Sequence, residues 1–482
     1  MTSKSNVIFG NEMAAKARKK AEKTKQKFEK KYGDDSGKDY RFALKENAVL
    51  APLGTKVLTF GEGAEFSDKT VFVGNIRMGF GHYRISMAMA SCARAMGYEP
   101  VWLDLNSFQG STCTGIISGQ NDLYSMGSRL SQKSKLFNKL YWEPLNSEGF
   151  RKLTYNANDQ ASAELMANLL QNLPKDKPYV ATHVWPAQAA IHAGFTKVVN
   201  AIPDNWPMAL HLAEGATHTI QTRSAWLGYK ALRGMDKKRS LKPMPAGDIV
   251  YTGHYVDHEL VVNLEQDTAR RLDRVQNGKA RRYLLTVGGA GAQQSLFADI
   301  IKTLLPDIQA GKAVLFINVG DHKNVWESLK KLVPALGKAK LFENDYKAAK
   351  AYAEQALTGE AKGIVGFCHS DIFAAVYITN LLMRAADVLV TKPSELAFYP
   401  VPKLFIRRIG GHEMWGAVHS AELGDGTLEC SSPEYAASVA RLLLDDPSLI
   451  RTMCGCIVDA DKGGVYSGAY RAVELALSGR ER

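Results

Sequence analysis

Residues 70–83 of the chain read Thr-Val-Phe-Val-Gly-Asn-Ile-Arg-Met-Gly-Phe-Gly-His-Tyr. The β-branched and aromatic residues at the start predict a buried strand over 70–74, and the Ala- and Met-rich residues 83–96 that follow predict a helix. Another strand is predicted at 99–104. A strand, a crossover helix and a second strand favour a parallel sheet covered by helices on both faces.

The same alternation continues along the chain. Further strands are predicted in a first series at 179–183, 197–202, 218–222 and 248–252, and in a second series at 282–288, 313–319, 363–367, 387–391 and 403–407. The sequence therefore predicts an α/β protein with two Rossmann-like, doubly wound parallel-sheet domains that face a cleft.

The predicted organisation has four parts. We expect a basic, flexible or helical tail at 1–45, an N-terminal Rossmann-like domain at 46–263, a charged linker at 264–280, and a C-terminal Rossmann-like domain at 281–482 whose last helices pack back on the first. A length of 482 residues with 45% hydrophobic residues is enough for two separate cores.

The positive charge is concentrated at the start of the chain. The net charge is +12, and residues 1–45 contain 13 Lys or Arg against 6 Asp or Glu, so the rest of the chain is near neutral. This distribution argues against a nucleic-acid partner. Residues 13–32 have almost no apolar face, which leaves two interpretations: a solvated helix, or an electrostatic tether to an anionic membrane surface.

Cysteine usage and hydropathy bear on location. The six cysteines lack the spacing of a metal site, which is typical of reduced thiols in a cytoplasmic protein. No apolar run approaches the roughly 20 residues that a membrane span needs. We therefore expect a cytoplasmic protein that associates at most peripherally with a membrane.

The first strand of each series is followed by one glycine-rich turn. Gly79 and Gly81 precede a helix that begins near His82, which makes this histidine a candidate base, although a tight turn with a capping histidine explains the same residues. Gly288, Gly289 and Gly291 form the second turn. It suits a pyrophosphate, but it has neither the dinucleotide-binding spacing nor the Gly-Lys-Ser/Thr of a P-loop.

Later loops add charged candidates. After the strand at 387–391, Lys392 can face phosphate and Glu395 can accept hydrogen bonds from the ribose hydroxyls. A solvated loop charge is the alternative for Lys392. The stretch Gly411, His412 and Glu413 begins another helix, where an acidic residue also simply favours the helix dipole.

In the first series, the loop after 197–202 carries Asp204 and Trp206. Trp206 can stack on a sugar or line a lipid groove. It can equally pack inside the protein, as tryptophan usually does.

The order of these motifs resembles GT-B glycosyltransferases of the monogalactosyldiacylglycerol synthase and peptidoglycan GlcNAc-transferase type, over residues 68–475. The matching segments are Gly79-Phe80-Gly81-His82, Pro203-Asp204-Asn205-Trp206, Ile249-Val-Tyr-Thr-Gly253-His-Tyr-Val-Asp257, Gly288-Gly289-Ala290-Gly291, Ala385-Ala386-Asp387-Val-Leu-Val-Thr391-Lys392-Pro393 and Gly410-Gly411-His412-Glu413-Met-Trp-Gly416-Ala417. The chain departs from that pattern at Ser394-Glu395, where the group has Gly-Gly, and at His412, where it has Gln.

The resemblance implies transfer of a sugar from a nucleotide sugar, most simply a UDP-sugar, to an acceptor that can be a lipid. It implies His82 as the catalytic residue, with no metal and no cofactor besides the nucleotide-sugar substrate. The implied donor-side residues are Gly288, Gly289, Gly291, Lys392, Glu395, Gly411, His412 and Glu413, and the implied acceptor-side residues are Gly79, Gly81, Asp204 and Trp206. Two alternatives stay open: a nucleotide-sugar epimerase or hydrolase of the same fold, and a catalytically degenerate nucleotide-sugar-binding protein.

Overall fold

The computed structural model describes residues 3–288, 291 and 293–479. Its first half contains the strands β1 Val7–Ile8, β2 Asn11–Glu12, β3 Phe42–Lys45, β4 Lys56–Phe60, β5 Thr70–Asn75, β6 Glu99–Asp104, β7 Tyr179–Ala181, β8 Val198–Ala201, β9 Thr217–Ile220 and β10 Ile249–Tyr251. Its second half contains β11 Arg281–Thr286, β12 Ala313–Asn318, β13 Lys340–Glu343, β14 Ile364–Cys368, β15 Val388–Thr391 and β16 Lys403–Phe405.

Helices alternate with these strands. They are α1 Ala15–Tyr32, α2 Gly81–Ala95, α3 Thr112–Lys133, α4 Lys135–Phe137, α5 Leu153–Met166, α6 Val184–His192, α7 Arg223–Lys230, α8 His258–Val262, α9 Leu264–Gln276, α10 Gln294–Gln309, α11 Lys323–Leu332, α12 Tyr346–Thr358, α13 Ile372–Ala385, α14 Met414–Leu423, α15 Pro433–Asp445, α16 Pro447–Lys462 and α17 Gly468–Ser478. Short 3-10 helices at Ala209–His211, Glu395–Phe398 and Gly411–Glu413 lie near the cleft described below.

The strands form two large sheets. The first has the order β10-β9-β8-β7-β5-β6-β4-β3 and is parallel except for β3, which pairs antiparallel with β4 at the edge. The second has the order β13-β14-β12-β11-β15-β16 and is parallel throughout. The predicted fold class, two doubly wound parallel-sheet domains, is confirmed, and each predicted strand lies within two residues of an observed one.

Each sheet has a position where the direction of winding reverses. In the first sheet β5 lies between β6 and β7, and in the second β11 lies between β12 and β15. Every residue of β5 and of β11 is buried, as expected of central strands covered on both faces. Ligands of open parallel sheets bind outside the carboxyl ends of the strands at such positions. The loops after β5, β7, β11 and β15 are therefore the expected ligand-binding region.

The segment predicted as a basic tail is instead built into the first domain. Helix α1 packs on α5, where Ala21 is buried and Lys25 pairs with Glu164 at 2.5 Å, and β3 joins the edge of the first sheet. The apolar side chains of α1 that pack on the domain are two alanines, Ala17 and Ala21, and two aromatic residues, Phe28 and Tyr32, which give little hydropathy signal among the many lysines. Most lysines of α1 remain exposed on its other face.

The segment predicted as a linker at 264–280 is largely helix α9, and its charged residues are not all in solvent. Arg271 is buried and donates to the carbonyls of Met383 and Ala386, and Arg274 lies 2.8 Å from Asp387. A guanidinium can be buried when its donors are matched by carbonyl and carboxylate oxygens. Charge density alone therefore misrepresents this helix as solvated.

The end of the chain returns to the first domain. Helix α17 packs on α2 and on β8. Among the helices in the described part of the chain, none combines the length and apolar character required to cross a bilayer.

Candidate functional site

The carboxyl ends of the two sheets face each other across a cleft of about 510 Å³. The first domain contributes Gly79, Gly81, His82, His183, Asp204 and His211, and the second contributes Gly288, His322, Lys392, Glu395, His412 and Glu413. This volume is in the range of small-molecule sites. The winding reversals of both sheets thus open on one shared cavity.

His82 is the second residue of α2, directly after the turn that follows β5. Its Nδ1 lies 2.7 Å from the carbonyl oxygen of Thr182, and its ring meets that of His183 edge-on at 4.8 Å. Because a carbonyl only accepts hydrogen bonds, Nδ1 carries the proton and Nε2 has the lone pair in the neutral ring. Burial lowers the pKa of His82 below its usual value. The side chain is therefore a neutral base at pH 7.

Asp204 places a negative charge beside these histidines. Its Oδ2 lies 3.0 Å from Nε2 of His211, on the 3-10 helix Ala209–His211. Burial raises the pKa of Asp204, but the effects of His412 and His211 outweigh it and hold the pKa well below the usual range. Asp204 is therefore ionised, and its charge stabilises any imidazolium that forms nearby.

Lys392 is the first residue after β15 and forms an ion pair with Glu413. The second carboxylate oxygen of Glu413 accepts from the N–H groups of Ile409, at 2.7 Å, and Gly410, at 3.2 Å. Burial lowers the pKa of Lys392, but Glu413 and Glu395 outweigh it, and the net shift is upward. Burial raises the pKa of Glu413, but Lys392 and His412 outweigh it, and the net shift is downward. Both groups are therefore charged.

The glycine turn after β11 lies against Lys392. A Cβ on Gly288 would approach the Cε of Lys392 to 2.9 Å, so this position requires a glycine or a shift of the lysine. The N–H of Gly291, which has a φ of +60°, donates to the carbonyl of Gly288 at 2.9 Å. Gly289, also predicted at the donor site, lies outside the described residues.

Glu395 begins the 3-10 helix Glu395–Phe398 and faces the first domain. Its Oε1 lies 3.6 Å from Nε of Arg84, and a Cβ on Gly81 would lie 3.1 Å from its Oε2. The carboxylate that the sequence assigns to the donor therefore contacts the same helix, α2, that carries His82.

Trp206 has a different environment from the rest of the predicted set. Its ring stacks on that of Trp415, with centroids 5.1 Å apart and planes at 6°, and the guanidinium of Arg151 lies 4.7 Å from it. Asn205 donates to the carbonyl of Trp415 at 3.0 Å. Trp206 thus links the two domains beside the cleft. Gly411 of the second domain also contacts the first domain, because a Cβ at this position would lie 2.2 Å from the carboxylate of Glu143.

Three lining or adjoining residues were not among the sequence-predicted site residues: His183, His211 and Arg84. No local sequence motif marks His211, because its partner Asp204 lies in a different turn. Arg84 does leave a signal, because it is the only Lys, Arg, Asp or Glu in the first thirteen positions of α2.

The chain matches two domain families in tandem. Residues 7–231 match the family described as Domain of unknown function (DUF6937), and residues 244–477 match the family described as Domain of unknown function (DUF6938). The two matches meet close to the end of the first sheet. No curated protein matches the sequence.

Similar solved structures were also found. A UDP-GlcNAc 2-epimerase from Neisseria meningitidis, bound to UDP-GlcNAc, is 11% identical with a TM-score of 0.44, and the match covers 85% of this chain and 98% of that one. An alpha,alpha-trehalose 6-phosphate synthase from Burkholderia multivorans is 12% identical with a TM-score of 0.42 and coverages of 85% and 98%. A glycosyltransferase from Rickettsia africae is 12% identical with a TM-score of 0.38 and coverages of 85% and 96%.

Proposed function

We propose that this protein is a glycosyltransferase that moves a sugar from a nucleotide-sugar donor, most simply a UDP-sugar, to an acceptor held by the first domain. The observation that carries the proposal is the convergence of both winding reversals on one cleft of about 510 Å³. One wall has a lysine and glycine turns suited to a diphosphate, and the other has a neutral histidine.

The second domain holds the donor in this proposal. The turn around Gly288 and the helix start at Gly411 supply backbone N–H groups, and Lys392 supplies the positive charge that stabilises the departing diphosphate. The Lys392–Glu413 pair holds the ammonium group in place before the donor arrives. Glu395 accepts hydrogen bonds from the ribose hydroxyls. With these groups the reaction requires neither a metal nor a further cofactor.

The first domain holds the acceptor. Nε2 of His82 takes the proton from the acceptor hydroxyl as that oxygen bonds to the sugar carbon and the nucleotide diphosphate leaves with the electrons of the broken bond. The ionised Asp204 stabilises the imidazolium. The loops of the two domains enclose the reacting atoms, which limits hydrolysis of the donor by water.

The surface at the mouth of the cleft favours a lipid acceptor. Between 123 and 141, six large apolar side chains are exposed: Leu123, Met126, Leu130, Leu136, Leu140 and Tyr141. The same stretch has four basic residues and no acidic one. Tyr124 and Trp142, in and next to this stretch, line the cleft. A stretch with these exposed apolar side chains and this sequence charge suits the interface of an anionic membrane.

The proposed location follows from that surface. The protein is cytoplasmic and associates peripherally with an anionic membrane through residues 123–141, called here the apolar-basic segment. The exposed lysines on α1, within residues 13–32, add a second electrostatic contact.

Incubation with a panel of UDP-sugars and vesicles that contain candidate lipid acceptors tests the proposal, with product analysis by mass spectrometry. We expect UDP and a glycosylated lipid in equal amounts. Epimerised sugar, or UDP with free sugar in the presence of acceptor, indicates an epimerase or a hydrolase instead. A lack of binding to any nucleotide or nucleotide sugar at millimolar concentration contradicts every enzymatic reading and indicates a degenerate site.

A further inference from the structure

Arg84 is a buried arginine of the first domain whose partners belong to the second. Only 2% of the residue is exposed, in the second turn of α2. Its Nη1 donates to the side-chain oxygen of Asn380 and, at 3.3 Å, to the carbonyl of Val376, both on α13. The guanidinium therefore crosses the boundary between the domains and is anchored on the far side.

A further donor of this guanidinium, the N–H of Nε, lies near the Glu395 carboxylate. Within the described part of the chain, Nε of Arg84 has no hydrogen-bond partner, and it lies 3.6 Å from Oε1 of Glu395. The first turn of α2 has no acidic residue of its own, and Gly81 lies close to the other oxygen of Glu395. A positive helix end and a guanidinium from one domain thus converge on one carboxylate of the other.

The partner of Arg84 is itself fixed in orientation. The side-chain nitrogen of Asn380 donates to Asp257 at 2.9 Å, and Asp257 also accepts from the hydroxyl of Tyr399 at 2.8 Å. Because the Asn380 amide nitrogen is committed to Asp257, its oxygen faces Arg84. Asn380, Asp257 and Tyr399 are all buried. This arrangement holds the guanidinium at one place relative to Glu395.

Arg84 and Glu395 also bound a small enclosed space of about 10 Å³ that Gly288 and Lys392 line from the donor side. Such a space holds roughly one water molecule. The Arg84–Glu395 pair therefore adjoins Gly288 and Lys392, which are assigned above to the donor diphosphate. A change in the orientation of Glu395 would alter the donor site.

We propose that Arg84 is a positioning residue that, together with the Gly81 end of α2, holds the Glu395 carboxylate in the orientation that receives the ribose hydroxyls of the donor. This inference rests on the proposed function. Donor binding is then tied to closure of the two domains, because the group that orients Glu395 belongs to the opposite domain.

Removal of Arg84 leaves Glu395 free to turn towards Lys392. The ribose contact is made in both the ground state and the transition state, so its loss affects KM for the donor more than kcat. A residue with a purely structural role would lower the amount of active enzyme and so reduce kcat without this preference.

A double-mutant cycle on UDP affinity tests the inference, with calorimetry on the full chain. We expect Arg84→Met and Glu395→Gln each to weaken UDP binding about tenfold, the size of one charge-assisted hydrogen bond. The double variant should bind UDP no more weakly than Glu395→Gln alone. Fully additive losses would mean that Arg84 acts independently of Glu395, and they would overturn the proposal.

Gly81→Ala gives a second route if Arg84→Met does not fold. Its added methyl group must displace Oε2 of Glu395, so UDP binding should weaken in the wild-type background and not in the Glu395→Gln background. If wild-type protein binds UDP but Arg84→Met or Gly81→Ala binds it equally well, the inference fails and the proposed function stands. If Glu395→Gln has no effect, the inference fails together with the assignment of Glu395 to the ribose, and UDP binding by the wild type still supports the rest of the proposed function. If wild-type protein binds no nucleotide, the proposed function itself fails.

Discussion

The imidazole of His82 has its tautomer and its charge set by the fold. The carbonyl of Thr182 holds the proton on Nδ1, and burial holds the pKa below the usual value. The charge of Asp204 raises the pKa of His82 and so opposes the effect of burial, which allows His82 to be protonated during a reaction. The residue therefore has the two properties of a general base, a free lone pair at neutral pH and a stabilised conjugate acid.

Replacement of His82 tests this role. We expect His82→Ala to lower kcat by about 10²- to 10⁴-fold, the usual range for loss of a general base. Because the pKa of His82 is lowered, the acid limb of kcat/KM in the wild type should fall below pH 6.5 and disappear in the variant. His258→Ala is a matched control, since His258 contacts Tyr470 away from the cleft. Turnover that is unchanged in His82→Ala removes this histidine from the mechanism.

Lys392 permits a separate test of the donor half. The variant Lys392→Met keeps an unbranched side chain of similar length but loses the charge that faces the diphosphate. We expect KM for the UDP-sugar to rise about tenfold or more, because hydrogen bonds to charged groups contribute roughly 1.5–3 kcal/mol. Lys323→Met is the control, since this exposed lysine pairs with Glu343 outside the cleft. Equal kinetics in both variants would contradict the placement of the diphosphate.

Sequence patterns locate site residues when the residues follow strands. His82, Lys392 and Glu413 each lie in or just after a loop at a strand end, which is visible in the chain order. Arg84 and His211 are different, because their roles depend on partners from other elements. No spacing rule along the chain brings those partners together.

At the scale of elements, the apolar-basic segment is the feature that most departs from an ordinary surface. Its exposed apolar residues Leu123, Met126 and Leu130 recur at helical spacing on α3. A water-facing helix normally presents polar side chains at such positions. This pattern is typical of a helix that lies in a membrane interface.

Vesicle co-sedimentation tests this element. We expect the double variant Leu136→Asp, Leu140→Asp to lose most binding to vesicles that contain anionic lipid, because both leucines are 68% exposed and lie among basic residues. Leu227→Asp, with Leu227 62% exposed on α7, is the matched control and should bind as the wild type does. Wild-type protein that fails to bind such vesicles, or a double variant that binds normally, would contradict the membrane assignment.

The elements that sequence patterns identify best are the buried central strands. Every residue of β5, β11 and β12 is buried, and each of these strands lies within two residues of a predicted one. Strand β3 lies at the edge of the sheet and β4 lies next to it, and both are missed because their side chains are largely half-exposed and give no continuous apolar run. The burial of helices α1 and α9 is not predicted, because the small alanines of α1 and the buried arginines of α9 contribute little to a hydrophobic pattern.

At the scale of the whole molecule, polar and aromatic contacts join the two domains outside the lining of the cleft. Asp257 accepts hydrogen bonds from Asn380 and Tyr399, and Trp206 stacks on Trp415. These contacts hold the two walls of the cleft in the arrangement that the structure shows.

Asp257 makes the stability of this arrangement depend on pH. Burial, together with Glu259, raises the pKa of Asp257 to about 7, whereas the unfolded chain has a value of about 3.9. The folded state therefore binds the extra proton, and its stability is highest below about pH 4 for this group and falls as the pH rises towards 7. We expect Asp257→Asn to flatten the fall in the free energy of unfolding between pH 4.5 and 7.5, measured by urea denaturation. An unchanged slope would contradict the shifted pKa.

The central claim is that a nucleotide diphosphate binds between the two sheets, at the winding reversal of the second. A crystal structure of the protein with UDP tests it most directly. We expect diphosphate density between the turn at Gly288 and the helix start at 411–413, with Lys392 in contact and Glu395 at the ribose. Crystals saturated with UDP that show an empty cleft, or a nucleotide bound elsewhere, would contradict it.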